Sequence, residues 1–164
     1  MNDNVAKLLN ALLQEEESLQ FDQFTNEMAL ELGLKMIELS QDEGKYISID
    51  ITRNGQQLFH YALQGTSKNN DEWIKGKNRV VDWFGHSSYY MGVYYKSLQT
   101  TIADKDLLDP SLFAPLGGAF PIQIKEVGVV GTITVSGLSE EEDHQFVVRV
   151  LSDYLSLVRN SYSY

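Results

Sequence analysis

Apolar residues recur at helical spacing in several segments of the chain, and cap or turn residues mark where those segments end. The first segment, at about residues 3–19, predicts a short amphipathic helix that lies on the domain or on a neighbouring subunit. The second segment begins at Thr25, a suitable N-cap residue, and ends just before Gly44. The last segment follows a capping box formed by Ser139 and Glu142, and it carries a strong apolar stripe.

Alternating apolar and polar residues predict a β-hairpin in the first third of the chain. Residues 47–52 alternate isoleucine with serine, aspartate and threonine, and the Asn-Gly pair at residues 54–55 suits a two-residue type I′ turn. Residues 58–63 form the returning strand. Regular pairing outward from this turn places His60 opposite Ile49, so we expect the histidine to project from the apolar face of the sheet.

The remainder of the chain supplies a further helix and a second pair of strands. The helix is capped near Asp71 and closes at Gly85. The strands cover residues 120–125 and 127–135, and Pro121 suits an edge strand because it has no backbone N–H to donate. Helices at both ends and in the middle, with hairpins between them, predict a single α+β domain around an antiparallel sheet.

Composition limits the classes of function. With 164 residues, 43% of them hydrophobic, the chain is large enough for one domain with its own core. The absence of cysteine excludes disulfides and thiolate chemistry. A net charge of −10 disfavours nucleic-acid and membrane partners. Neither a secretory signal nor a membrane-spanning run is recognisable, so we expect a cytoplasmic protein.

The lysine and arginine side chains of residues 75–79 and the acidic run at residues 140–143 have simple structural interpretations. The basic residues are typical of a solvated helix face. Carboxylates in a first helical turn are favoured by the helix dipole, so the acidic run indicates a helix start rather than a metal site. The glycines at residues 117–118 and 128–131 lack the spacing of a phosphate-binding loop, and close backbone approach explains them better.

The three histidines are the main candidates for chemistry. His60, on an apolar sheet face, is expected to be a core residue bonded to a neighbour. His144 falls on the flank of the last apolar stripe, where it either lines a pocket or pairs with a carboxylate. His86 and Ser87 occupy a polar junction between two helices, which makes His86 the best functional candidate. No pair of histidines has helical metal-ligand spacing, so no metal site is predicted.

Seven aromatic residues lie close together in the middle of the chain. Within this group, residues 89–95 are compatible with helix or strand, because β-favouring aromatics compete with a capping signal. Residues 100–115 are expected to be a loop with a short helical turn at most. The aromatics could floor a pocket for a flat apolar ligand, but a subunit interface is favoured. They are Trp73, Trp83, Phe84, Tyr89, Tyr90, Tyr94 and Tyr95.

Several motifs, in the same order along the chain, resemble an uncharacterised protein family grouped with the haem-degrading, HbpS/GlcG-like domains. The resemblance covers about residues 15–158 and implies a profilin-like, three-layer α/β/α arrangement that assembles into homo-oligomers. The bulky residues of the middle helix replace the alanine-rich, lysine-containing helix of GlcG-type members. The motifs are Asn54 to Tyr61, Asn70 to Ile74, Phe84 to Ser88, Gly117 to Ile122 and Val135 to His144.

Three hypotheses follow for the function. The first is a non-catalytic cytoplasmic homo-oligomer, formed by one HbpS/GlcG-like domain over residues 1–164, that binds a small molecule or a protein partner. Within it, the helix at about residues 3–19 is an oligomerisation arm. The second, implied by the resemblance, is a haem-binding or haem-degrading protein in which a histidine ligates iron. The third is a metal-dependent enzyme. The candidate ligand-binding residues are His86, His144, His60, Ser87 and Trp73.

Overall fold

The computed structural model describes residues 3–161 and contains six helices and four strands within that range. In chain order the elements are α1 (Asp3–Ser18), α2 (Asn26–Asp42), β1 (Ser48–Arg53), β2 (Gln56–Ala62), α3 (Lys68–Phe84), α4 (Ser88–Ser97), α5 (Ile102–Asp106), β3 (Ala119–Ile124), β4 (Gly128–Ser136) and α6 (Glu140–Ser161). None of these helices is long and apolar enough to cross a membrane.

The strands form one antiparallel sheet in the order β2-β1-β4-β3. Helices α2 and α6 pack on one face of the sheet and α3 packs on the other. Helix α4 packs against α3, and α1 packs against α4 and β3. The predicted α+β class and the three-layer α/β/α arrangement are confirmed.

The face of the sheet that meets α2 and α6 is apolar throughout. Ile49, Ile51, Ile133 and Val135 alternate inward from the two central strands and are fully buried beneath these helices. Close approach also explains Gly33 in α2, because a Cβ added there would lie 2.5 Å from the Phe59 ring. Burial of this surface supplies the main hydrophobic core.

The opposite face, beneath α3, is polar although it is equally well covered. Ser48, Asp50, Thr132, Thr134 and Ser136 alternate with the apolar residues of the same strands, and all of them are buried. Buried polar groups require hydrogen-bond partners, which α3 supplies in part. We call this surface the polar face.

A buried ion pair helps to hold α3 against this polar face. Lys77 Nζ lies 2.9 Å from Asp143 Oδ2 and donates to the carbonyl of Val135 at 3.1 Å. Burial lowers the pKa of Lys77 and raises the pKa of Asp143, in opposition to their mutual attraction. The prediction of a solvated basic face is therefore wrong for Lys77, and Asp143 does more than begin a helix, since it also accepts from the backbone N–H of Leu138.

The β1–β2 hairpin does not have the predicted register. A β-bulge in β2 makes Leu58 an extra residue opposite the step from Ile51 to Thr52, so that Ile51 pairs with Phe59. Asp50, rather than Ile49, pairs with His60. Because one residue of slip moves every later side chain to the other face, the prediction that His60 lies on the apolar face is wrong.

Local signals account for most of the remaining boundaries. Residues 89–95 are helical because the Ser87 hydroxyl caps α4 by accepting from the N–H of Tyr90 at 3.1 Å. Helix α3 begins earlier than predicted, after a capping box at Ser67, and ends at Gly85 as expected. A Cβ at Gly131 would lie 2.1 Å from the Thr52 carbonyl, which confirms close backbone approach at this strand glycine.

The two edges of the sheet differ. Pro121 lies in β3, which is an edge strand as predicted, and the outer side of β3 also accepts a short bridge from Phe21. The N–H of Phe21 donates to the Gln123 carbonyl at 2.8 Å, and the N–H of Lys125 donates to the Phe21 carbonyl at 2.9 Å. The outer side of β2 pairs with no strand among residues 3–161.

Candidate functional site

Two adjacent glutamates at the end of α1 bind two of the candidate histidines. Glu16 is buried, and its carboxylate lies 2.7 Å from His86 Nδ1 while also accepting from the N–H of Ser87 at 2.7 Å. Glu15 lies 2.8 Å from His144 Nε2. These contacts join α1 to the start of α4 and to α6, and they bring three of the five candidate residues to one junction.

His86 combines a fixed orientation with partial exposure. The hydrogen bond to Glu16 raises the pKa of His86, despite burial that would lower it. The imidazole lies 4.7 Å from the Tyr90 ring. Its second nitrogen, Nε2, has no hydrogen-bond partner among residues 3–161. A carboxylate on one imidazole nitrogen fixes the ring and leaves the other nitrogen for a ligand, a proton or a metal.

The exposed side of His86 lines a pocket of about 310 Å³ between α3, α4 and α5. We call it the aromatic pocket, because Phe84, Tyr90 and Tyr94 form most of its walls. Lys105 stands at its rim, 5.9 Å from the centre of the Tyr94 ring.

The acidic group at the rim of the aromatic pocket is already engaged. Asp106 accepts a hydrogen bond from the Tyr95 hydroxyl at 2.7 Å, and burial together with this bond raises the pKa of Tyr95. The groups that remain to meet a ligand are aromatic faces, His86 and Lys105. This combination favours a flat molecule that carries negative charge.

His144 and Ser87 are buried in the same junction but have structural contacts. The imidazole of His144 packs 4.9 Å from the Tyr89 ring and 6.0 Å from the Phe120 ring. Its Nδ1 is buried without a hydrogen-bond partner among the described residues. The Ser87 hydroxyl is fully buried as the cap of α4. Both residues therefore hold α1 and α4 in place, and both are buried from solvent.

His60 and Trp73 lie away from this junction. His60 lines a separate groove of about 370 Å³ between the β1–β2 hairpin and α3, close to Asp50 and Asp71. Trp73 is 43% exposed and borders a cavity of about 140 Å³ that also touches Lys77 and Asp143. The structure thus brings together His86, Ser87 and His144, but not all five candidates.

Some residues of the aromatic segment pack against α1 of the same chain. Leu9 and Leu12 of α1 form a small core with Val93, against which Tyr89 and Tyr90 pack. Trp83, in contrast, is 64% exposed and contacts only the edge of Phe113 among aromatic rings of residues 3–161. Trp73 and Trp83 are the members of the predicted interface that remain available to another chain.

Sequence reasoning missed the carboxylates that define these sites. Glu15 and Glu16 belong to an acidic run at the end of a helix, and Asp50 alternates with isoleucines along a strand. The partners of the two glutamates lie 70 or more residues away along the chain, so sequence spacing does not indicate these contacts.

No group of three or more histidine, aspartate or glutamate side chains suited to a metal ion occurs in residues 3–161.

The family of the chain follows from comparison with known proteins. The model of the family described as haem degrading protein HbpS-like matches residues 24–152, and the chain belongs to this family. A UPF0303 protein of Streptomyces coelicolor is 44% identical over 144 residues, which cover 88% of this chain and 91% of the relative.

Solved structures agree with this assignment. The crystal structure of the Ybr137w protein superposes with a TM-score of 0.86 at 32% identity, over 92% of this chain and 88% of that one. The crystal structure of HbpS superposes with a TM-score of 0.64 at 21% identity, over 83% and 92% of the two chains. At that identity, the likeness to HbpS concerns the fold alone.

Proposed function

We propose that this HbpS-like protein is a cytoplasmic, non-catalytic binding module whose small ligand occupies the aromatic pocket beside His86. The observation that carries the proposal is the Glu16–His86 contact at 2.7 Å, which fixes an imidazole at the wall of a pocket. A buried carboxylate is costly unless it is paired, and here it orients a histidine at the ligand side.

Aromatic faces beside two basic side chains support a flat organic anion as the ligand of the aromatic pocket. Tyr90 and Tyr94 are stacked with a ring separation of 6.3 Å and supply apolar faces. His86 lies beside the Tyr90 ring and Lys105 beside the Tyr94 ring, and these two side chains supply positive charge. The volume of about 310 Å³ is at the lower end of the range of about 300–1,000 Å³ for small-molecule sites.

Haem is the second candidate ligand, and it comes from the family description and from one feature of this chain. His86 Nε2 is the kind of donor that haem iron accepts, and Glu16 on Nδ1 is the usual type of support. The pocket is small for a porphyrin, which favours the smaller anion.

Two titrations separate these candidates. With 2-naphthoate as a flat anionic probe, we expect saturable binding that His86→Gln weakens by at least about tenfold and the matched variant His60→Gln leaves unchanged. Equal binding by both variants would contradict the aromatic pocket as the site. With haemin, a Soret shift that His86→Ala abolishes and His60→Ala retains would instead support iron ligation by His86.

Assembly into a homo-oligomer is also proposed. The exposed Trp73 and Trp83 support it, because aromatic residues are enriched at subunit interfaces. The helix at about residues 3–19 acts as an oligomerisation arm in this proposal, and its partly exposed Leu8 and Leu13 support that role. The net charge of −10 supports small-molecule and protein partners over nucleic acid or membrane. Light scattering tests the assembly, and a clean monomer would contradict it.

A further inference from the structure

The groove around His60 is a second site, distinct from the aromatic pocket. It lies between the β1–β2 hairpin and α3, has a volume of about 370 Å³, and exposes the outer part of the polar face. We call it the polar groove. Its side chains come from three elements, with Asp50 on β1, Gln57 and His60 on β2, and Asp71 on α3.

Asp50 is held rigidly at the bottom of the polar groove. It is 3% exposed, and its carboxylate accepts hydrogen bonds from three side chains. The donors are Gln57 at 2.6 Å, Thr52 at 2.8 Å and Asn78 at 3.2 Å. Three donors on one buried carboxylate fix it in position.

His60 and Asp71 also line the groove, and their polar atoms are not fully hydrogen-bonded within residues 3–161. His60 Nδ1 lies 3.6 Å from Asp50 Oδ1, and His60 Nε2 lies 3.4 Å from Asp71 Oδ1. Both separations are longer than those of ordinary hydrogen bonds. Asp71 Oδ1 is buried and accepts no hydrogen bond from residues 3–161. With 36% of its side chain exposed, the Asp71 carboxylate can also take a donor from a ligand.

Thr132 of the polar face lies next to the groove without lining it. It is 1% exposed, and its Oγ1 has no hydrogen-bond partner among the described residues. Thr132 pairs with Thr52, which itself lines the polar groove. The polar layer beside the groove is therefore incompletely hydrogen-bonded among residues 3–161.

The charges of the polar groove select a cation. Lys75 donates to Glu72 at 2.9 Å, so this pair at the rim is internally neutralised. Asp50 and Asp71 then face a single further lysine, the exposed Lys68. Buried Ile74 provides an apolar surface in the same groove, against which methylene groups can pack.

We propose that the polar groove binds a small organic ammonium compound, a primary amine on a short carbon chain. The ammonium group donates to the exposed part of the Asp71 carboxylate and lies next to His60, while the carbon chain lies on Ile74. Lys68, which also lines the groove, can pair with a carboxylate on the same ligand. A polyamine and a free amino acid share this chemistry, and the experiment distinguishes them.

The test is a titration of the full chain with 1,4-diaminobutane, free lysine and the neutral 1,4-butanediol, followed by NMR of the His60 ring protons. The His60 signals are assigned by their loss in His60→Gln. We expect saturable shifts with the two amines and none with the diol. Tighter binding of lysine would assign an amino acid, and tighter binding of the diamine would assign a polyamine. Equal shifts with the diol, or no shift with either amine, would overturn the proposal without the need for any variant.

Two carboxylates on α3 provide a matched pair of variants, one in the groove and one outside it. Asp71→Asn should weaken amine binding by at least about tenfold, because it removes the charge that meets the ammonium group. Asp71→Glu keeps that charge and should retain binding. Asp82→Asn removes an equal charge from an exposed position of the same helix outside the groove, and it should change binding by less than about twofold. Equal weakening by Asp71→Asn and Asp82→Asn would indicate a general electrostatic effect and would overturn the site.

Discussion

The two faces of the central sheet are built from the same two strands but are covered in different ways. On one face, isoleucine and valine side chains meet α2 and α6 in a continuous apolar core. On the other face, serine, threonine and aspartate side chains meet α3 through hydrogen bonds and the Lys77–Asp143 ion pair. The apolar face provides stability that depends on area, whereas the polar face provides stability that depends on every partner being present.

The largest expected effect is the loss of one partner from the ion pair of the polar face. Lys77→Met leaves Asp143 buried without a counter-ion, and we expect the free energy of unfolding to fall by about 3–5 kcal/mol. Urea denaturation measures this. The double variant Lys77→Met with Asp143→Leu should recover most of the loss, and the exposed Lys75→Met should change it by less than about 0.5 kcal/mol. A small effect of Lys77→Met alone would mean that the polar face admits water.

A large truncation on the apolar face should have a comparable or slightly smaller effect. Ile133 is fully buried opposite Ile51 and Phe120, so Ile133→Ala should lower the free energy of unfolding by about 2–5 kcal/mol. The same urea series measures it, with the exposed Val127→Ala as the control. If Ile133→Ala cost no more than Val127→Ala, the contrast between the faces would fail.

Two threonines of the polar face offer a smaller and more discriminating comparison. The Thr134 hydroxyl donates to Asn78, so Thr134→Val should lower the free energy of unfolding by about 1 kcal/mol. The Thr132 hydroxyl has no partner in residues 3–161, so Thr132→Val should leave stability unchanged or raise it by up to about 1 kcal/mol. Matched melting curves measure both changes. Equal destabilisation would show that Thr132 is partnered in solution.

The smallest expected effect is a pH dependence at the junction of α1. The folded-state pKa of His86 is raised above its unfolded value of about 6.5, so its contribution to stability is fully present below about pH 6.5. That contribution is lost as the pH rises through the folded-state pKa. The stability difference between the wild type and His86→Gln should therefore shrink between pH 6 and pH 8, measured by urea midpoints. A difference that grows with pH would contradict the assignment.

The apolar face could be predicted from sequence and the polar face could not. Alternation in residues 47–52 identifies the strand and its buried isoleucines, because burial of one face imposes a period of two. The same alternation places Asp50 on the opposite face but does not show what covers that face. Helix α3 covers it, and the cover depends on Lys77 meeting Asp143, 66 residues away. Such a pairing leaves no local pattern.

The candidate site was predictable to a similar extent. The polar junction at His86 and the cap at Ser87 follow from local turn chemistry. The role of Glu16 does not, because its contact with His86 arises only when α1 folds back along α4. The predicted face of His60 is wrong because one bulged residue, Leu58, shifts the register of the hairpin.

The unequal edges of the sheet limit how copies of this chain can join through their strands. The outer side of β3 is obstructed by Pro121 and by the Phe21 bridge, whereas β2 carries seven residues and no proline. Among the strands of residues 3–161, sheet extension can therefore start only at β2. Two copies that joined there would each turn a closed edge outward, so strand pairing would stop at a pair instead of growing into a fibre.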